Sequence, residues 1–182
     1  MSSKNDKFYL KLALNLAKQN EGLTNENPSV GCVIVKDNKI LSLSKTSISG
    51  RPHAEDNAIR FANTNDLKGS TIYVTLEPCT HHGKTPPCTD LIIKKKISKI
   101  VYASNDIDER TANKLKKVLK NHNISTKQIR MKEITDFYKS YFFIRKNKFP
   151  YITAKLACSN DYYIYSKKNK NITNELSRKT SH

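Results

Sequence analysis

Pro52-His53-Ala54-Glu55 and Glu77-Pro78-Cys79-Thr80-His81-His82-Gly83-Lys84-Thr85-Pro86-Pro87-Cys88 are the two stretches whose reading decides the fold. They supply one imidazole, two thiols, and a carboxylate two residues after the imidazole. One His and two Cys make three zinc ligands, and a catalytic zinc keeps its fourth position open for water. Glu55 is the spare group that can move the protons of that water. A plainer reading makes Glu55 a surface carboxylate at a helix start and His53 a cap. A structural zinc site would instead take a fourth protein ligand, with His81 or His82 as candidates.

The chain around these stretches alternates between two periodicities. Asp6 to Asn20 carries Phe8, Leu10, Ala13, Leu14 and Ala17 on one broad face, which predicts an amphipathic helix with Asp6 as a candidate cap. Val30 to Val35 reads as a buried strand, Lys36-Asp37-Asn38-Lys39 as a hairpin turn, and Ile40 to Ser44 as the return strand. His53 opens a helix running to about Asn63. Thr71 to Leu76 is a strand, Thr89 to Lys96 a helix, Lys99 to Ala103 a strand, and Thr111 to Asn121 a helix. Ile124 to Met131 suits an edge strand, and Ile134 to Arg145 one continuous helix. Strands alternating with helices after a single hairpin predict an α/β fold, a mixed, mostly parallel sheet with helices on both faces. His53, Cys79 and Cys88 then fall at strand ends and helix starts, where such sheets bind ligands and where helix N-termini favour thiolates.

Net charge is +17, from 33 Lys and Arg against 16 Asp and Glu. The lysines are scattered, so runs such as Lys94-Lys95-Lys96 and Lys167-Lys168 read as solvated faces, and a nucleic-acid partner is not expected. No apolar run approaches the ~20 residues needed to span a bilayer. The N-terminus leads straight into a helix without a signal-peptide pattern, so a reduced cytoplasmic compartment is expected for Cys32, Cys79, Cys88 and Cys158. Cys32 lies in a predicted strand and reads as a core thiol.

The spacing H-x-E followed by P-C and a second Cys is that of the zinc deaminases. Taken with Asn27-Pro28-Ser29-Val30-Gly31, Thr75-Leu76-Glu77-Pro78-Cys79 and the His81-to-Cys88 stretch, the sequence resembles the deaminase domain of the bacterial riboflavin-biosynthesis bifunctional deaminase/reductase. The eight residues between Cys79 and Cys88 carry most of that likeness, since most zinc deaminases place these Cys two residues apart. The resemblance implies a cytidine deaminase-like, three-layer α-β-α sandwich. It implies one Zn2+ on His53, Cys79 and Cys88, with Glu55 as proton shuttle. The implied substrate is a diamino-hydroxy-pyrimidine carrying a ribosylamino 5′-phosphate, deaminated to the aminouracil. Asn27 and Lys84 match family positions that face the substrate, Lys84 toward the phosphate, and His81 lines the pocket. Deaminases of this fold commonly form oligomers, so a homo-oligomer is among the expected partners.

Three departures stand out. Thr46 occupies a position where the family often has His, Asn113-Lys114-Leu115 replaces a Gly-Arg-Gly, and Tyr162 replaces a Gly. Residues 1–147 are expected to form the deaminase domain and residues 148–182 a truncated beginning of the reductase domain. Phe149 to Ala157 reads as its first strand, and Asn174 to His182 as a helix barely begun. A segment this short cannot build a dinucleotide-binding core, so neither NADPH nor reductase activity is expected of this chain. The alternatives kept beside this reading are a nucleic-acid base deaminase, such as one acting on tRNA, and a non-catalytic zinc module. Asn105 to Asn123 is where the likeness is weakest.

Overall fold

Strand β1 (Gly31–Lys36) lies second from one edge of the sheet and runs against its neighbours on both sides. The computed structural model describes residues 3–62, 67–164, 167 and 172–179. Asp37 and Asn38 both adopt left-handed backbone (φ 49° and 61°), the geometry of a two-residue turn whose twist matches the strands it joins. That turn returns the chain as β2 (Lys39–Lys45). On the other side β1 pairs antiparallel with β3 (Thr71–Leu76), and β3 pairs parallel with β4 (Lys99–Ser104), which pairs parallel with the edge strand β5 (Ser125–Gln128). The order is β2-β1-β3-β4-β5. Four strands therefore share one direction and β1 alone opposes them. Every residue of β3 is buried, as expected of a strand covered on both faces.

Helices cover the two faces. Tyr73 and Thr75 alternate onto one face, where Tyr73 Oη donates to Asp6 of α1 (Ser3–Lys18) and Thr75 Oγ1 lies 2.6 Å from Tyr138 Oη. The crossovers β3–α3–β4 and β4–α4–β5 place α3 (Cys88–Lys94) and α4 (Leu115–Leu119) on the other face, with α2 (Ala54–Arg60) packed on β1, β2 and α3. The chain thus has the three-layer α/β architecture expected of it. Contact between α1 and β1 depends on Gly31, where a Cβ would sit 1.8 Å from the Ala13 carbonyl oxygen. A backbone atom cannot swing away, so Gly31→Ala should destabilise the fold by about 1–3 kcal/mol or more, read as a fall in thermal midpoint.

Several elements differ from expectation, each for a visible reason. Helix α1 begins at Ser3, so Asp6 sits inside the helix and does not cap it. Its carboxylate is fully buried and accepts bonds from Tyr73 Oη (2.9 Å) and Lys127 Nζ (2.7 Å). Burial pushes the Asp6 carboxyl up, but the Lys127 and Tyr73 bonds outweigh it and hold it below its ordinary 3.8. A carboxylate lowered in the folded state stabilises in full above its ordinary range, and that contribution is lost as pH falls through the lowered value. Asp6→Asn should therefore cost about 1–3 kcal/mol near pH 7, a modest figure because Lys127 is 41% exposed. The gap to wild type should narrow in urea melts near pH 3, and an equal gap at both pH values would contradict this.

Helix α2 starts at Ala54, with His53 in the cap position, and ends at Arg60; Asn63 lies outside the described residues. Only Leu115–Leu119 of the expected Thr111–Asn121 helix is α-helical, because Asn113 turns left-handed (φ 61°) and the 113 and 115 N–H groups point to Glu77. The expected helix from Ile134 to Arg145 is two, α5 (Lys132–Phe137) and α6 (Lys139–Asn147), separated at buried Tyr138.

The residues divide into two compact units, Met1–Phe149 and Pro150–His182. The expected strand over Phe149 to Ala157 is not formed. Strand composition alone does not make a strand, which persists only within a ladder. Ser159 accepts the Tyr162 N–H in a short turn, and α7 spans Glu175–Lys179; residues 180–182 of the expected terminal helix, and Lys168, lie outside the described residues.

Candidate active site

At the carboxyl end of β3, Leu76 passes through Glu77 and Pro78 into Cys79. Cys88, the first residue of α3, has a backbone N–H free of the helix ladder, and donates it to Cys79 Sγ at 3.2 Å. The Cys79 carbonyl accepts from the Thr89 N–H and hydroxyl, both at 3.3 Å, which closes the base of the 80–87 loop. His53 holds the cap position of α2, yet its side chain makes no cap bond. Its Nδ1 lies 3.7 Å from Cys79 Sγ and 3.4 Å from Cys88 Sγ.

These ligand atoms all lie within 4.8 Å of one another. Tetrahedral zinc with ordinary Zn–S and Zn–N bonds would separate S from N by ~3.6 Å, which the two observed distances bracket. The donor chemistry agrees. The Cys88 thiol's hydrogen bond is the largest of the causes that pull Cys79 down to about 4, His53 adding to it, whereas Cys88 is pushed well above its ordinary range, first by Cys79 and then by burial. Two thiols so close do not both ionise unaided, and a divalent cation held by them and His53 would supply the missing charge.

Glu55 lies on the first turn of α2 and is 4% exposed, so it is no surface carboxylate. Burial raises it to about 7, against the opposing pull of His53. A carboxyl with that affinity for protons suits a group that takes and returns one near neutral pH.

His53, Cys79 and Glu55 line an open cleft, and Cys88 stands behind it, clustered with His53 and Cys79. Asn27 and His81 line it; Lys84 does not, being exposed in the 80–87 loop. Asn27 is set by Nδ2 donating to the Gly50 carbonyl (3.3 Å) and by its own carbonyl accepting from Thr24 Oγ1 (2.7 Å). Gly50 has φ +87°, and a Cβ there would lie 2.5 Å from Asn27 Nδ2, so this corner requires glycine. His81 Nδ1 lies 2.9 Å from Thr111 Oγ1, and His82 lies near Asp90, so neither joins the ligand cluster found among the described residues. Thr46, where a His was absent, also lines the cleft while its hydroxyl accepts the Val30 N–H.

Sequence reasoning gave no role to Glu77. Its buried carboxylate accepts the N–H groups of Asp106 (3.4 Å), Asn113 (3.1 Å) and Leu115 (3.2 Å). It thereby anchors the loop that brings Asp106, Asp108 and Arg110 to the cleft wall. The available signal was a carboxylate closing an otherwise buried strand, which must find partners. Tyr141 and Arg145 of α6, and Arg51, were missed too.

Residues 3–104 match the family described as the cytidine and deoxycytidylate deaminase zinc-binding region. The chain is 42% identical over 147 residues to a diaminohydroxyphosphoribosylamino-pyrimidine deaminase of Buchnera aphidicola, covering 80% of this chain and 99% of that one. It is 41% identical over 180 residues to the riboflavin biosynthesis protein RibD of Aquifex aeolicus, covering 97% of this chain and 50% of the relative. The crystal structure of a Thermotoga maritima diaminohydroxyphosphoribosylaminopyrimidine deaminase/5-amino-6-(5-phosphoribosylamino)uracil reductase superposes with a TM-score of 0.85 at 35% identity, over 96% of this chain and 51% of that one. The chain thus spans about half the length of its bifunctional relatives and nearly all of the shorter one. With the His53/Cys79/Cys88 cluster beside buried Glu55, these matches show that the chain belongs to the cytidine and deoxycytidylate deaminase zinc-binding family, among the diaminohydroxyphosphoribosylamino-pyrimidine deaminases.

Proposed function

We propose that this chain binds one zinc ion through His53, Cys79 and Cys88 and hydrolytically deaminates a diamino-hydroxy-pyrimidine bearing a ribosylamino 5′-phosphate, a step of riboflavin biosynthesis. The observation that carries the reading is buried Glu55 on the cleft floor beside the three clustered ligands. Zinc held there supplies Lewis acidity and makes water a nucleophile near neutral pH. Glu55 takes the proton from the attacking water, gives it to the ring nitrogen, and then serves the leaving amine. A C–O bond forms, the C–N bond breaks, and ammonia leaves. No electron is transferred, so the step requires no nicotinamide. Asn27 offers an amide able to read a ring edge, and His81 stands on the same cleft. Lys84 is the proposed contact that the exposed 80–87 loop carries. Four free thiols suit a reducing cytoplasm, and among the described residues no helix is long and apolar enough to cross a membrane.

The reaction is tested in 18O-labelled water. The expected result is one labelled oxygen in the aminouracil product, with ammonia released and no comparable turnover of cytidine, tRNA or single-stranded DNA. Turnover of a nucleic-acid base with none of the pyrimidine would replace this reading with the base-editing one. Zinc held by four protein ligands, with no turnover of either, would mark a structural module.

A further inference from the structure

The substrate proposed above carries a phosphate, yet Lys84 stands outside the cleft lining. Three guanidinium groups line it instead, those of Arg51, Arg110 and Arg145. Their partners separate them. Arg110 is held in a bidentate ion pair by Asp108, which cancels its charge locally. Arg51 sits two residues before the ligand His53 and donates from Nη1 to Thr85 Oγ1 at 2.5 Å, against the 80–87 loop. Its charge is felt by His53, so it stands on the metal-ligand side of the cleft. Arg145 is different. It comes from the last turn of α6, where the helix dipole favours a cation, and has no carboxylate partner in the ion pairs among the described residues. Its Nη2 donates to the Glu26 carbonyl at 2.8 Å, and its guanidinium carbon lies 5.7 Å from the centre of the Tyr141 ring. One donor and one face thus fix the group, while a guanidinium has five N–H donors in a rigid fork suited to phosphate oxygens.

We infer that Arg145 is the residue that binds the substrate's phosphate and makes the enzyme prefer the phosphorylated pyrimidine. This rests on the deaminase reading above. A preset guanidinium next to Asn27, whose neighbour Glu26 holds it, ties recognition of the two ends of one substrate to a single wall.

The test compares Arg145→Ala, Arg145→Lys, Arg51→Ala and Lys84→Ala on the phosphorylated pyrimidine and on its dephosphorylated form. Arg145→Ala should raise KM for the phosphorylated substrate about 10- to 100-fold, with kcat little changed and no effect on the dephosphorylated one. Arg145→Lys should recover part of the loss, since it restores charge without the fork. Equal losses on both substrates, or a phosphate-specific loss that appears in Arg51→Ala or Lys84→Ala and not in Arg145→Ala, would overturn the assignment. Binding of inorganic phosphate, followed by 31P line broadening, reads the same site without turnover. Broadening present in wild type and lost in Arg145→Ala supports the site even if neither pyrimidine is deaminated, a result that would overturn only the reaction. Broadening unchanged in Arg145→Ala would sink it.

Discussion

Glu55→Gln is expected to slow ammonia release by about 10²–10⁴-fold while zinc occupancy stays at the wild-type level. Glutamine keeps the shape of the buried side chain but cannot take a proton from water or return one to the ring. Glu55 is not among the clustered ligand atoms, so metal binding should not follow it down. The 4% exposure of this residue also means that bulk water does not readily replace it as proton carrier. KM should move little, because the change removes a group needed in the transition state and leaves substrate contacts in place. Steady-state kinetics paired with metal analysis of the same sample checks both halves. A variant retaining more than a tenth of the wild-type rate would remove Glu55 from the proton path.

Cys88→Ala should lose zinc and activity together. Cys88 Sγ is one of the two sulfur ligands in the cluster, 3.4 Å from His53 Nδ1, and His81 and His82 are occupied elsewhere. The backbone N–H that Cys88 gives to Cys79 survives the substitution, so the loop base should persist while the metal leaves. Two remaining ligands hold zinc far more weakly than three, and metal affinity in such sites is coupled to the charge of the ligands. Cys158→Ala, at an exposed thiol in the second unit, is the matched control and should keep both zinc and rate. Full zinc occupancy in Cys88→Ala would take this residue out of the ligand set.

How much of this was legible in the sequence follows from the range of the forces involved. The hairpin at Asp37-Asn38 and strand β3 were readable because turn chemistry and a run of buried β-branched residues act locally. The placement of His53, Cys79 and Cys88 together was readable from strand–loop–helix order, which the topology then brings to one sheet end. What the sequence hid depends on partners far along the chain. Glu77 accepts the N–H groups of residues 106, 113 and 115, more than twenty residues away, and holds the chain before Leu115 out of the helix. Tyr138 interrupts a helical pattern while its hydroxyl donates to the Ser29 carbonyl, 109 residues away, and meets Thr75. Asp6 looked like a cap because acidic residues favour helix starts, but its partners Tyr73 and Lys127 come from β3 and β5. The run from Phe149 has strand composition, and composition alone does not form a ladder.

The central claim is tested most directly by ammonia release from the phosphorylated diaminopyrimidine, measured against zinc content. Purified chain stripped with a chelator and titrated with zinc should regain activity in proportion to bound metal, reaching a plateau at one zinc per chain. A protein that binds one zinc per chain and releases no ammonia from this substrate, or that works equally well without metal, would contradict the account.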